Sequence, residues 1–223
     1  MRVVPNLYPA FERQEVVIHL PRHVRSLVEL SEAELELVAD AWRRRSSTAA
    51  AAGFPYVHAF VNDGPTAGAS LPHSHSQLVW LREPPPALAA EGAAAGDCRL
   101  CTLLAAERAD GVRLVGERSG LVVLCPAAGR LPYEALIAPA EHDRDGFGPR
   151  LGEALVLLVE LMRTLQSLEG HIAWNAWLHL GEHWHLEVVP RLSTFAGVEL
   201  GTGIHVLTVA PEDAAAALRD RLP

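Results

Sequence analysis

An α+β fold made of two similar halves, each an antiparallel sheet with one long helix, is predicted by three observations. His-x-His-x-(Gln or Glu) occurs twice, as His73-Ser74-His75-Ser76-Gln77 and His183-Trp184-His185-Leu186-Glu187, each running into apolar, strand-like residues. Each copy is preceded by a strand, a Pro-x-His or Pro-x-x-His segment and a long amphipathic stretch. Short strands separated by turn residues outnumber helical stretches, a pattern that favours antiparallel pairing. Eleven His make one chance pair unremarkable, but two pairs in matching contexts point to an internal duplication.

The elements follow in order. Val3-Val4-Pro5 and Glu15 to Leu20 read as strands, the second closed by Pro21. Ser31 is an N-cap with Glu34 as its capping-box partner. Leu35, Leu37, Val38 and Trp42 then carry a helix to about Ala50, where Gly53 and Pro55 stop it. Tyr56 to Val61 is a strand. It leads into Asn62-Asp63-Gly64-Pro65-Thr66-Ala67-Gly68, a loop of turn residues able to bring backbone N–H groups to an anion. Pro84-Pro85-Pro86 breaks the chain, and the Ala- and Gly-rich stretch 87–96 reads as a partly helical link. The expected division is residues 1–86 and 87–223. Cys98-Arg99-Leu100-Cys101 opens the second half. Leu114 to Glu117 and Leu121 to Cys125 form a hairpin, and Tyr133 to Ala138 a third strand. Residues 149–168 are a helix with Leu155, Leu158 and Met162 inward, and Ile172 to Trp177 is the strand before the second His pair. Trp42, Trp174 and Trp177 read as core, and Arg43-Arg44-Arg45 as a solvated helix end.

Composition narrows the function. The 223-residue chain is 49% hydrophobic and 21% charged, with formal net charge −8 and no Lys. That charge offers no general attraction to nucleic acid or an anionic membrane. No apolar run reaches spanning length and no secretory leader pattern opens the chain, so a cytoplasmic location is expected. Three Cys make no disulfide framework, and two have the spacing of metal ligands.

Residues two apart on a strand share a face, so His73, His75 and Gln77 present two imidazoles and an amide together. The first copy suits anionic phosphate better than the second. Gln77 can donate a hydrogen bond, whereas an ionised Glu187 only accepts, and the Gly-rich loop precedes only the first.

Val4-Pro5-Asn6-x-Tyr8-Pro9, Pro21-x-His23, Phe60-x-Asn62-x-Gly64, Gly68-x-Ser70-x-Pro72-His73-x-His75-x-Gln77 and His183-x-His185 resemble galactose-1-phosphate uridylyltransferase, of the histidine-triad superfamily. The resemblance covers nearly the whole chain and implies two histidine-triad-like halves. It implies that His75 is the nucleophile of a covalent nucleotidyl-histidine, that Gln77 bonds the transferred phosphoryl, and that Asn62, Gly68 and Ser70 contact phosphate. It places Glu199 in the sugar-binding region. The implied reaction moves UMP between UDP-glucose and galactose 1-phosphate, in galactose metabolism. The implied partners are a nucleotide-sugar, a sugar 1-phosphate and a second copy in a homodimer. Cys98, Cys101, His142 and His183 make a Cys2His2 set that fits Zn²⁺, and His23 with His73 resembles a second, weaker site. The family pattern has a segment before Val-Pro-Asn that carries a further Cys-x-x-Cys. Here no Cys precedes Cys98, and the expectation is an N-terminally shortened relative, a mis-started gene product or a degenerate copy. Two alternatives keep their place: a phosphorylase acting on ADP-glucose or a dinucleoside polyphosphate, and a non-catalytic zinc-binding module.

Overall fold

The structure, a computed structural model, describes residues 1–92 and 98–221. Nine strands form one sheet in the order β1-β2-β4-β3-β8-β9-β7-β6-β5. The strands are β1 (Arg2–Pro5), β2 (Arg13–Ile18), β3 (Tyr56–Asp63), β4 (His75–Leu81), β5 (Leu114–Arg118), β6 (Leu121–Leu124), β7 (Ala135–Pro139), β8 (Trp174–His179) and β9 (His185–Pro190). Every pairing is antiparallel. From either end the order repeats, β1-β2-β4-β3 matching β6-β7-β9-β8, with β5 added outside. The fold is α+β and its halves are pseudo-repeats.

The seam shows how the halves are related. Phe60 pairs with Gln77, and Trp177 with Glu187. Phe60 and Trp177 are therefore equivalent positions, and they pair with each other across β3 and β8. A local twofold of an antiparallel pair runs through this point, and Asn62 stands opposite Asn175 beside it.

Two long helices, α1 (Glu32–Ala51) and α4 (Leu151–Glu169), pack together on one face of the sheet. Ser31 and Glu34 form the expected capping box of α1. Leu35, Val38 and Trp42 of α1 and Leu155, Leu158 and Met162 of α4 bury against Val17, Val61, Leu78 and Ile137 of the sheet. Burying each such side chain stabilises by about 1.5–3 kcal/mol. The opposite face of β3, β4, β8 and β9 stays open and holds the polar residues, as the alternating burial of β3 and β8 records. At the far end that open face is covered too. Leu104 of α3 (Arg99–Asp110) packs on Val122, Leu124, Leu136 and Ala138, so β6 and β7 are buried on both sides. β1 and β2 are far more exposed.

The shorter helices are α2 (Pro86–Gly92), α3, α5 (Gly197–Thr202) and α6 (Pro211–Arg219). Of these, only α2 was anticipated in the sequence, within the partly helical link. The expected link over 87–96 is helical through α2, and residues 93–97 lie outside the described residues. Leu37, expected with Leu35, Val38 and Trp42 in the apolar pattern of α1, is exposed, because it lies off the face those three bury. Two further expectations are corrected. Trp177 is half-buried on the open face, because its strand position alternates with buried Ala176 and Leu178. Arg45 is no solvated end: it pairs with Glu15 of β2 and lies over the Trp80 ring. Arg43 joins Glu36 and Asp40 and donates to the Gly148 carbonyl.

Candidate active site and metal centre

β4 starts at His75, whose Nδ1–H donates to the carbonyl of His73 at 2.8 Å. That bond fixes the neutral tautomer and leaves Nε2 with a lone pair and, among the described residues, no protein partner. The ring is buried, 6% exposed. Gln77, two residues on, shares its face. Its Oε1 accepts from Gln14 Nε2 at 2.7 Å, and Gln14 Oε1 accepts from the Ala10 N–H. This relay directs the Gln77 amide so that its NH2 is the group left to donate.

Asn62 lies on the adjacent strand, its Oδ1 accepting from Asn175 Nδ2 at 2.8 Å. Asn175 Nδ2 also donates to the Ala67 carbonyl and ties the loop to β8. The Asn62 NH2 faces Gly68, where a Cβ would come within 3.7 Å of it. Gly68 is left-handed, φ 89°, and ends the 3-10 turn Pro65–Ala67. Gly64 has φ 86°, and a Cβ there would lie 2.7 Å from the Ala173 Cβ. Gly64→Ala is expected to destabilise by about 2–3 kcal/mol, combining positive-φ strain with overpacking; a urea midpoint no lower than wild type would refute this. Ser70 is exposed at the loop's end. It lines a 620 Å³ cavity with Asp63 and His171.

Beneath this strand lies a buried cluster that sequence reasoning missed. His19 is fully buried, its Nδ1 2.8 Å from Ser74 Oγ and its Nε2 3.1 Å from Ser76 Oγ. Ser76 Oγ also accepts from Trp42 Nε1. A neutral ring satisfies all four groups: Ser76 donates to Nε2, and Nδ1–H donates to Ser74. Ser74 and Ser76 alternate with His73, His75 and Gln77, so this cluster grips the core side of the functional strand. Burial, then the charges of His75 and His73, pushes the His19 pKa down to about 3. The unfolded chain, with His19 near 6.5, binds the proton first. This contribution to stability is therefore complete above pH 6.5 and lost as pH falls from 6.5 towards 3. Across that window wild type is expected to lose up to about 1.4 kcal/mol more per pH unit than His19→Gln. Parallel pH profiles of the urea midpoint would refute it.

In the second half, the donor atoms of Cys98, Cys101, His142 and His183 all lie within 4.8 Å of one another. Cys101 Sγ is 3.4 Å from His142 Nδ1 and 3.3 Å from His183 Nδ1. Bond lengths of about 2.0–2.3 Å in a tetrahedral site imply donor separations of roughly 3.3–3.8 Å. His183 Nε2–H donates to the Pro139 carbonyl at 2.9 Å, turning Nδ1 towards the thiols. Burial lowers the His183 pKa, which favours the neutral ligand form, and burial beside Cys98 raises that of Cys101. The cluster is compatible with a metal ion. α3 delivers both thiols, and the matching place in the first half holds only imidazoles. His23 and His73 Nδ1 stand 3.3 Å apart, and His73 Nε2–H donates to the Leu20 carbonyl. Among the described residues no third His, Cys or carboxylate joins them.

The second copy of the motif is arranged differently. His185 Nδ1 faces the His183 carbonyl at 3.3 Å, as in the first copy, but its Nε2 lies 3.8 Å from Glu187. Glu187 also accepts from Trp177 Nε1 at 3.0 Å and from Arg130 at 2.5 Å, and its Oε1 is 3.3 Å from His179 Nδ1. Burial opposes ionisation of Glu187, but the His179 and His185 hydrogen bonds and Arg130 outweigh it, and the carboxyl stays well below its usual range. His179 and His185 stack 4.4 Å apart at 20°. Rings so nearly parallel cannot both aim an in-plane lone pair at one ion, and Glu187 serves here as the acceptor that Trp177, Arg130 and the two imidazoles surround. The difference between the copies is the carboxylate: His185 Nε2 stands 3.8 Å from Glu187, whereas His75 Nε2 has no carboxylate beside it among the described residues.

Glu199 sits on the exposed helix α5, where its carboxylate accepts from the Ala196 N–H and caps its own helix. The structure does not bring it to His75. It does bring Phe195, from the same segment, into a 270 Å³ cleft on the open face with Phe60, Asn62, Arg130, Trp177 and Arg191. The place of Arg130 and Arg191 in this cleft depends on the strands that meet at the seam.

The model of the galactose-1-phosphate uridyl transferase N-terminal domain matches residues 9–85. ADP-glucose phosphorylase of Arabidopsis thaliana is 28% identical over 99% of this chain and 74% of its own length. Galactose-1-phosphate uridylyltransferase of Thermotoga maritima is 26% identical over 92% of this chain and 73% of its own. The crystal structure of an Arabidopsis thaliana ADP-glucose phosphorylase with bound ADP-glucose superposes with TM-score 0.85, at 27% identity, over 98% of this chain and 81% of that one. No described helix is long and apolar enough to cross a membrane. The duplicated sheet and the Gly64–Gly68 loop agree with these likenesses: residues 9–85 carry the N-terminal domain of the galactose-1-phosphate uridylyltransferase family, and the chain as a whole resembles that family's nucleotidyltransferases.

Proposed function

We propose that this protein transfers a nucleoside monophosphate from a nucleotide-sugar to a phosphate-bearing acceptor through His75. The free Nε2 of a ring whose Nδ1–H is already bonded carries this reading. The Nε2 lone pair attacks the α-phosphorus. The bond to the bridging oxygen breaks, and sugar 1-phosphate leaves with the electron pair. The His73 carbonyl steadies the resulting cationic ring. Gln77 and Asn62 supply side-chain N–H donors to the phosphoryl oxygens, and the Gly68–Ser70 backbone lies beside them. An oxygen of the acceptor phosphate then attacks phosphorus, and the P–Nε2 bond breaks to restore neutral His75. Two half-reactions of this kind give ping-pong kinetics.

The motif resemblance favours UDP-glucose and galactose 1-phosphate as the substrate pair. Arabidopsis ADP-glucose phosphorylase, similar over 99% of the chain, favours a second reading, ADP-glucose with inorganic phosphate as acceptor. Cys98, Cys101, His142 and His183 would hold a structural Zn²⁺ that fastens α3 to the sheet, and His23 with His73 a weaker ion. Glu199 belongs to the sugar end in this reading, by way of the segment that carries Phe195. Intact-protein mass after incubation with UDP-glucose or ADP-glucose tests it. A gain of one UMP or one AMP names the base, and no adduct with either donor refutes the reading.

A further inference from the structure

The polar row that begins at His75 continues across the seam. Asn62 pairs with Asn175, which pairs with Val189. Two residues past Val189, just beyond the end of β9, the chain reaches Arg191, whose N–H donates to the Ala173 carbonyl and extends the β8–β9 ladder. Arg191 has the strand parity of Glu187 and Val189, so it belongs to the open face, and it lines the same cleft as Asn62. Most other cations beside a functional group are already engaged. Arg130 is held by Glu134 and Glu187 and lies 5.2 Å from the centre of the Trp177 ring. Arg191 is half-buried, and among the described residues no carboxylate lies within ion-pair distance of it. A partly desolvated guanidinium without a counter-ion in a cleft is a site for a planar or tetrahedral oxyanion, which it can grip with two parallel N–H donors.

Placement agrees with chemistry. β3 and β9 are two interstrand steps apart, about 10 Å, and an arginine side chain reaches back roughly half of that. The anion so held would lie over the Asn62–Asn175 pair, beside a phosphoryl group on His75 and not on top of it. The aromatic walls Phe60, Trp177 and Phe195 border the same space and suit the apolar face of a sugar ring.

We infer that Arg191 binds the second phosphate of the reaction: the one that departs with the sugar in the first half-reaction and the one that attacks in the second. This rests on the proposed transfer for its catalytic meaning, although binding can be read without it. By reversibility one subsite serves both steps, and it takes inorganic phosphate or a sugar 1-phosphate. Arg191 is therefore a specificity residue for the acceptor, not for the nucleotide.

The test is titration of unloaded protein with inorganic phosphate, galactose 1-phosphate and, separately, UMP and AMP, for wild type, Arg191→Gln and Arg191→Lys. Arg191→Gln is expected to weaken phosphate and galactose 1-phosphate about tenfold or more, as loss of a charge-assisted pair does. Arg191→Lys should recover part of that loss, and UMP or AMP affinity should stay within about twofold. Unchanged binding of both acceptors to Arg191→Gln overturns the inference. So does an equal loss for the mononucleotides, which would place Arg191 at the α-phosphate. In protein that forms the adduct, discharge by the acceptor should need correspondingly more acceptor in Arg191→Gln. If wild type forms no adduct yet shows the expected binding differences, the transfer reading fails and the anion subsite stands.

Discussion

Replacing His75 by alanine should abolish the nucleotidyl adduct and lower transfer by about 10⁴-fold or more, the loss typical of removing a covalent nucleophile. The fold should survive. His75 begins β4 on the open face, whereas the core beneath is held by Val17, Leu78 and the His19–Ser74–Ser76–Trp42 cluster. The loss of the ring removes its bond to the His73 carbonyl but no ladder bond. The expected urea midpoint therefore lies close to wild type, while adduct mass disappears with every donor. His185→Ala is the matching control. Its ring faces the Glu187 carboxylate in the other half of the sheet, so adduct formation at His75 should persist. An adduct retained in His75→Ala and lost in His185→Ala would reverse the roles given to the two copies.

Replacing Cys101 by serine, or His183 by alanine, should remove about one equivalent of zinc and lower the melting temperature by about 10 °C. The metal would tie three separate pieces of chain: the start of α3, the segment after β7 and the segment before β9. Loss of roughly 3–4 kcal/mol of such cross-linking corresponds to a shift of this size in a domain of about 200 residues. Chelation of wild type should produce the same shift, and the variants should be insensitive to chelator. The second half should respond most, because α3 buries Leu104 on β6 and β7 only while its first turn stays docked. A wild-type protein that contains no metal and melts identically with and without chelator would exclude a structural zinc. Effects on adduct formation should be secondary, since His75 belongs to the other half of the sheet.

Much of this was legible in sequence for identifiable reasons. Period-two spacing placed His73, His75 and Gln77 on one face, and Ser31 with Glu34 marked the start of α1, because both are local rules of backbone geometry. Repetition of the His-x-His block in matching contexts announced the two halves. The contrast between Gln77 and Glu187 separated a donor from an acceptor before any coordinates were seen. The small residues from Gly64 to Gly68 marked the loop whose left-handed glycines the structure then showed.

Other features depend on contacts between residues far apart in the chain, and no local rule reaches them. His19 lies 55 residues from Ser74, and only the β2–β4 pairing makes it the clasp of the functional strand. Gln14 directs the amide of Gln77 across 63 residues, and Asn175 holds Asn62 across 113. Trp177, read as core, stands on an open face because α1 and α4 cover only the other side of the sheet. Arg191 reaches the cleft because β3 and β8 join the halves into one surface. Side-chain alternation, capping and repetition are properties of a few adjacent residues, so the sequence alone marked most of the strands, the two long helices and the shared face of His73, His75 and Gln77. Which groups are partnered and what lies beside His75 were decided by strand order and register, since these bring distant residues to hydrogen-bonding distance.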